Sequence, residues 1–316
     1  MRNYIVARLL AIIPTTMVLI LFVVVLIRLL PGDAIDVLLE EQVRLDDVSR
    51  AELEARLGLD KSLPEEFVRY TLGTLRGDLG NSIFTEESVT GLIRQRIGVT
   101  LTMGVMALVI GATTGVVIGI ISAVRRNNLL DYFLRSVSIA GLSIPNFAIA
   151  TAVIVFPTIW WKWSPPVIYT PPGDGIWPYV AQFFTPALIL GLSLSASLMR
   201  LTRTMMLEVL RQDYITTARS KGAGEGTVVL RHALRNALIP VVSLLGIQVA
   251  FLLSGTVILE SIFSLPGLGR TLIGALTARD YPVVQGLTVV SGLLVIMVNL
   301  MVDVSYGVLD PRTRTE

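Results

Sequence analysis

The stretch that decides the fold is Thr100–Val124, TLTMGVMALVIGATTGVVIGIISAV, 25 residues with no charge among them. About 20 apolar residues in helical conformation cross the hydrocarbon core of a bilayer. The segment therefore reads as a membrane-spanning helix. Gly111, Gly115 and Gly119 recur every four residues, which puts them on one helical face. Where side chains are missing, a second helix can approach closely. These glycines predict a tight helix contact and say nothing about cargo.

Five further apolar segments lie on either side: Leu9–Leu30, Ser136–Trp160, Phe183–Leu201, Leu238–Leu259 and Val283–Val308. Pro145, Pro157 and Pro186 interrupt or flank the third and fourth spans in chain order. The chain has 316 residues, of which 53% are hydrophobic and only 16% charged, and mean hydropathy is +0.71. A soluble domain of this size needs far more polar surface. The fold class is all-α, a polytopic membrane protein with about six transmembrane helices. The first apolar segment is too long for a secretory signal and no small-x-small cleavage site follows it, so it reads as a retained span. There is no cysteine, which excludes disulfides, thiolate metal sites and cysteine nucleophiles.

Net charge is only +2, but the cations are unevenly placed. Arg2 and Arg8 precede the first span. Arg125, Arg126 and Arg135 lie between spans two and three. Arg200, Arg203, Arg211, Arg219, Lys221, Arg231 and Arg235 crowd the connection between spans four and five, and Arg312 and Arg314 follow span six. Alternate loops are basic, so the positive-inside rule puts both termini in the cytoplasm. The outside loops are then 31–99, 161–182 and 260–282. In the last, Glu260 and Asp280 balance Arg270 and Arg279. Trp160, Trp161, Trp163 and Trp177 fall at an outer interface, where indole rings prefer to sit.

The organisation is therefore a cytoplasmic N-terminus and first span over 1–30, an extracytoplasmic loop over 31–99, and a five-span core over 100–308. A cytoplasmic loop at 203–235 interrupts that core, and 309–316 form a cytoplasmic tail. Within 31–99, Ser49 and Glu52 make a capping-box pattern, Leu53 and Leu57 follow at helical spacing, and Gly58 suits the stop. Pro64 begins a second short helix with Phe67 and Leu72 expected on one face. This loop is either a solvated cap or a docking surface for an outside partner.

The segment Asp213–Pro240 is the most informative for function. Tyr214, Thr217, Ala218 and Lys221 keep helical spacing, Gly222, Gly224 and Gly226 break the helix, and Val228, Val229 and Leu230 restart it. A short basic helix held between two spans is suited to dock into a groove on a cytosolic protein. Lys221–Thr227 is not a phosphate-cradling loop, because its lysine comes first and a helix precedes it. His232 is the sole histidine and lies in this basic loop, with no metal or nucleophile constellation around it.

This segment resembles the coupling loop of the membrane subunits of ABC importers. Ala218, Gly222 and Leu234 match that loop's generic pattern. Arg235 stands where the pattern has proline, and a proline appears five residues later at Pro240. The chain as a whole is similar to the B-type permeases of dipeptide and oligopeptide importers. The stretches that carry the likeness are Leu30–Asp33, Arg56–Lys61, Arg76–Gly80, Gly141–Pro145, Arg231–Pro240, Leu265–Arg270, Arg279–Gly286 and Leu309–Arg312. The resemblance implies a type I ABC-importer permease fold in the plasma (inner) membrane. It implies pairing with a second, C-type permease, two ATPase subunits on the cytoplasmic loops and an extracytoplasmic peptide-binding protein. ATP and Mg would be used by the partner ATPases, with no cofactor bound by this chain. The coupling residues would be Asp213, Tyr214, Thr217, Ala218, Lys221, Gly222, Arg231, His232 and Arg235. Relatives carrying glutathione, nickel chelates or other small solutes keep the cargo open. Lipid is the only other contact implied, and nothing points to nucleic acid.

Inside the spans, Ser143 and Asn146 beside Pro145, with Gln248 and Ser254, are polar at membrane depth. Such groups line a water-filled path or face another helix. Asn299 and Asp303 share a face of the last span. Intramembrane acids usually face the bundle interior, and Arg200 or Arg203 would be a structural partner for Asp303. The segment 260–282 is either a re-entrant element or a short helix with a tight turn. An intramembrane hydrolase would need a base inside the spans, yet the sole histidine lies in none. A stand-alone carrier would need several intramembrane ionisable groups or a duplicated half, and neither is seen.

Overall fold

The computed structural model describes residues 2–29, 61–166 and 168–309. Among them, the elements are α1 (Arg2–Arg28), α2 (Leu63–Arg76), α3 (Val89–Val124), α4 (Leu129–Ser143), α5 (Asn146–Trp161), α6 (Ile176–Val209), α7 (Asp213–Ser220), α8 (Leu234–Ile262), α9 (Leu268–Thr277) and α10 (Tyr281–Leu309). A three-residue helix at Glu225–Thr227 and a π-helical turn at Val228–Ala233 lead into α8. No strand occurs among the described residues. The helix expected near Ser49–Gly58 lies outside them. Five helices are long and apolar enough to cross a membrane, or six if the bent pair α4–α5 counts as one span.

That pair departs from the continuous span expected over Ser136–Trp160. α4 and α5 meet at 95°. Proline disfavours helical backbone in the residue before it. Ile144 accordingly extends at φ −96°, ψ 122°, and Pro145 caps the new helix in extended conformation. Each half is about 23 Å long at 1.5 Å per residue, short of the roughly 30 Å hydrocarbon core.

The chain divides into two compact units. One comprises residues 100–265 and 298–316. Here α3 lies against α6 with almost no side chain between them. A Cβ on Gly115 would sit 2.7 Å from Leu198 Cβ and 2.9 Å from the Ser195 carbonyl oxygen. One on Gly119 would sit 2.6 Å from Thr202 Cβ, and one on Gly111 would meet Leu194 and the Gly191 carbonyl. On α8, a Cβ at Gly255 would press on Leu190 at 2.9 Å.

A buried charge cluster ties α4 to α6. Asp131 is fully buried in the first turn of α4. Arg203 grips it with two bonds, Nε to Oδ1 at 2.9 Å and Nη2 to Oδ2 at 2.7 Å. Ser122 Oγ and the Asn127 N–H donate to the same carboxylate. Arg203, one of the two cations expected to face Asp303, is thus taken by Asp131. The side chain of Asp303 lies outside the described residues, while Asn299 is exposed on α10.

The second unit comprises residues 2–99 and 266–297. Ser62 opens α2, and its N–H donates to Glu65 Oε2 at 3.1 Å. Phe67 packs on Ile20, Val23, Val24 and Val289, but Leu72 is 47% exposed, so the expected shared face does not form. Glu66 and Thr71 are buried instead. Glu66 is held by Arg69 through two bonds of 2.8 and 2.9 Å. Leu79, Val89, Ile93, Leu268, Ala275 and Val283 form a further core. The segment 260–282 forms the short helix α9 with a tight turn before it. Asp280 is buried within this unit, accepting from Ser82 Oγ at 2.5 Å, and Glu260, in the first unit, is buried on Thr100 Oγ1 at 2.6 Å.

Two predictions follow from the packing. Gly98 and Gly115 share α3, but a Cβ at Gly98 would meet nothing within 4 Å. Gly115→Ala is therefore expected to destabilise by about 1–3 kcal/mol through overpacking, while Gly98→Ala gains up to about 1 kcal/mol from helix propensity. Thermal melts of the two purified variants check the opposite signs. Breaking a buried ion pair from one side costs about 3–5 kcal/mol. Asp131→Leu or Arg203→Met alone should incur that loss, and the double variant should recover most of it. Strictly additive losses in the melts would contradict this coupling.

Candidate functional site

The break between α4 and α5 opens a cleft of about 240 Å³, lined by residues of α4, α5, α6 and α8. Asn146, first residue of α5, presents a buried Oδ1 with no hydrogen-bond partner. Gln248 lines the same cleft from α8, and Ser193 and Ser197 line it from α6. None of these three side chains forms a hydrogen bond among the described residues. Several other span hydroxyls behave differently, although that of Thr202, away from the cleft, is also without a partner among the described residues. Thr113 and Thr114 return theirs to carbonyls one turn back at 2.6 Å, and Ser195 does so at 2.7 Å. In hydrocarbon an unsatisfied polar group costs several kcal/mol, so such groups survive where water or solute reaches them.

Sequence reasoning named Asn146 and Gln248 but not Ser193 and Ser197. Their four-residue spacing in Leu192-Ser193-Leu194-Ser195-Ala196-Ser197 is the signal that could have found them. Ser143 does not line this cleft; it is exposed and donates to the Ile139 carbonyl at 3.0 Å. The side chain of Ser254 lies outside the described residues.

The second functional element is the helix–turn segment after α6. Ile215 is fully buried and anchors α7 on Met206, Val209, Val228, Val229, Ala233 and Ala237. With Ile215 inward, Asp213, Tyr214, Thr217, Lys221, Gly222, Arg231 and Arg235 are exposed, while Ala218 and His232 are half-buried. Gly222 turns the chain at φ +83°, a conformation that favours glycine. Gly226, expected as a further breaker, sits inside the helix Glu225–Thr227. Gly224 supplies the extended cap, and Glu225 in the first turn favours restarting there. Arg219 spans the turn to Glu225 with bonds of 2.7 and 3.2 Å. The Tyr214 hydroxyl receives Asn236 Nδ2 at 2.7 Å and donates to the His232 carbonyl at 3.3 Å, so α7 is tied to the π-helical turn and to α8.

Among the described residues the chain is helical, with several helices apolar enough to cross a membrane, a polar cleft and an exposed helix–turn segment, features compatible with a membrane permease. The chain belongs to the binding-protein-dependent transport system inner membrane components, whose family model matches residues 115–315. It is 39% identical over 334 residues to the di/tripeptide transport system permease protein DppB of Pseudomonas aeruginosa, covering 99% of both chains. It is 38% identical over 322 residues to the glutathione transport system permease protein GsiC of Pectobacterium atrosepticum, again with 99% of both covered. In fold it is similar to a chain of the inward-facing MetNI methionine ABC transporter, with a TM-score of 0.56 at 19% identity, covering 69% of this chain and 96% of that one. The fold is that of ABC-importer permeases.

Proposed function

We propose that this chain is a membrane subunit of an ATP-driven importer for di- and oligopeptides, and that the cleft is its share of the translocation path. The observation that carries this is the convergence of Asn146, Ser193, Ser197 and Gln248, all without protein partners, on one cleft in the membrane-spanning part. Amide and hydroxyl groups can exchange hydrogen bonds with any peptide backbone without reading side chains. A weakly selective lining suits solutes of varied sequence. Selectivity then rests with a separate extracytoplasmic binding protein. The curated relatives named for di/tripeptide transport support peptide as cargo, and the relative named for glutathione supports a tripeptide-like solute as the second reading.

In this reading the chain binds no nucleotide. Two ATPase subunits, which use ATP and Mg, dock on the exposed face of α7 and the π-helical turn through Tyr214, Thr217, Lys221, Arg231 and Arg235. A second permease completes the path. The arginine-rich loops support a cytoplasmic position for both termini and for this docking face in a plasma-membrane protein. Because Ile215 is buried against α6 and α8, a push on α7 is delivered to two spans at once.

The test uses the complete complex in liposomes with its binding protein. Peptide-loaded binding protein should raise ATP turnover and drive uptake. Asn146→Ala and Gln248→Ala should each lower uptake about two- to tenfold, as expected for one lost hydrogen bond of about 0.5–1.5 kcal/mol, with normal complex yield. Turnover that ignores loaded binding protein would refute the importer reading. Uptake that survives both substitutions would refute the cleft as its path.

A further inference from the structure

The unit of residues 2–99 and 266–297 contains a larger cavity, of about 760 Å³. Its walls are the outer half of α2, the loop after it and the first turn of α10. This is within the range of roughly 300–1,000 Å³ of small-molecule sites. Three groups on its walls have no hydrogen-bond or ion-pair partner among the described residues. Gln285 is 8% exposed, yet its amide makes no hydrogen bond. The Tyr70 hydroxyl is buried and also unpartnered. Arg76, in the last turn of α2, has no carboxylate partner, whereas the neighbouring Arg69 is committed to Glu66. Asp78 lines the same cavity and uses Oδ1 to accept from the Gly80 N–H at 3.0 Å.

A buried polar group without a partner costs about 1–3 kcal/mol. The Tyr70 hydroxyl is such a group, and it shares the cavity wall with the unbonded Gln285 amide and the exposed, unpaired Arg76 guanidinium, a donor set that suits a ligand rich in acceptors. Burial, reinforced by the nearby Glu66 carboxylate, pushes the Tyr70 phenol far above its ordinary range, so it stays a donor. Amide, phenol and guanidinium together match a carboxylate, which accepts several hydrogen bonds and takes guanidinium especially well. Asp78 adds the opposite charge on the same wall.

We propose that this cavity is a second binding site, outside the membrane, for a short zwitterionic peptide, whose C-terminal carboxylate is held by Arg76, Tyr70 and Gln285 with its ammonium toward Asp78. Both the outward position and the choice of peptide rest on the function proposed above. The site would hold peptide on the permease between deliveries from the binding protein.

Tyr70→Phe is the most informative variant, because the hydroxyl it removes has no partner among the described residues and its loss is not expected to lower stability. The assembled complex, in nanodiscs of neutral lipid without binding protein or ATP, is titrated calorimetrically with trialanine, trialanine amide and acetate. Trialanine is expected to bind, and Tyr70→Phe and Arg76→Gln should each weaken it at least fivefold without lowering the melting temperature. Trialanine amide should bind at least fivefold more weakly and be indifferent to Tyr70→Phe. The cleft variant Gln248→Ala should leave this binding intact. Trialanine binding that is unchanged by Tyr70→Phe and Arg76→Gln overturns the proposal. So does acetate binding as tight as trialanine, which makes the cavity a simple anion site, and so does binding that appears only with anionic lipid. If no trialanine binds while binding-protein-dependent uptake continues, this site alone fails. If uptake is absent as well, the peptide reading fails with it.

Discussion

Where α3 crosses α6, the carbonyl oxygens of Gly191, Ser195 and Met199 occupy the volume that a side chain on Gly111, Gly115 or Gly119 would need. Lipid is as apolar as leucine, so burial alone gives two spans no reason to associate. Close packing and backbone approach must supply the attraction. The seam therefore fixes the register of α6 along α3 turn by turn. Leu194, Leu198 and Thr202 project into the same contact, so a slip of one residue would drive them into backbone. The position of α6 then sets what lies on its other faces.

Polar groups in this part of the protein include two contrasting kinds, besides the Thr202 hydroxyl, which is buried in the seam without a partner among the described residues. Asp131 has Arg203, Ser122 and the Asn127 amide around it, and Glu260 has Thr100. These are satisfied, and they fasten elements together. A buried carboxylate with fewer partners would be neutralised or expelled. Asn146, Ser193, Ser197 and Gln248 lack protein partners and gather on a single cleft. The contrast within α6 is sharp, because Ser195 returns its hydroxyl to the Leu192 carbonyl while serines two residues either side do not. Packing can account for the first kind. The second kind needs something that is not protein, either water or a passing solute.

Much of this was legible in the sequence, for reasons tied to particular residues. Uninterrupted apolar runs gave the spans, and the four-residue glycine spacing gave the seam. Gly222 marked the turn after α7. Pro145 marked an interruption, but not that the chain would bend by 95° there, since the angle depends on where α5 finds packing partners. Asp131 escaped notice because it follows Arg125 and Arg126 in what reads as a surface loop; its burial depends on Arg203, 72 residues away. Leu72 was assigned to an apolar face on hydrophobicity alone. The tertiary fold buries Glu66 in its stead, because Arg69 on the next turn neutralises it.

α6 connects these features mechanically. Ser195 faces the seam, and Ser193 and Ser197, each about 200° around a 3.6-residue helix from it, face the cleft. Eight residues beyond Ser195, Arg203 holds α4, the first half of the broken span. Met206 and Val209 at the end of the helix pack on Ile215 of α7 and on Val228, Val229 and Ala237 leading into α8. A helix clamped along one side by backbone contact cannot bend freely, so it moves as a rod together with α3. Displacement at α7 therefore reaches the cleft from two directions, through α6 carrying Ser193 and Ser197 and through α8 carrying Gln248. Asn146 stands on α5 beyond the bend, joined to α4 only through Ile144 and Pro145. The cleft is thus bounded by two walls that share the α7 cluster and by a third, α5, that packs on both of them.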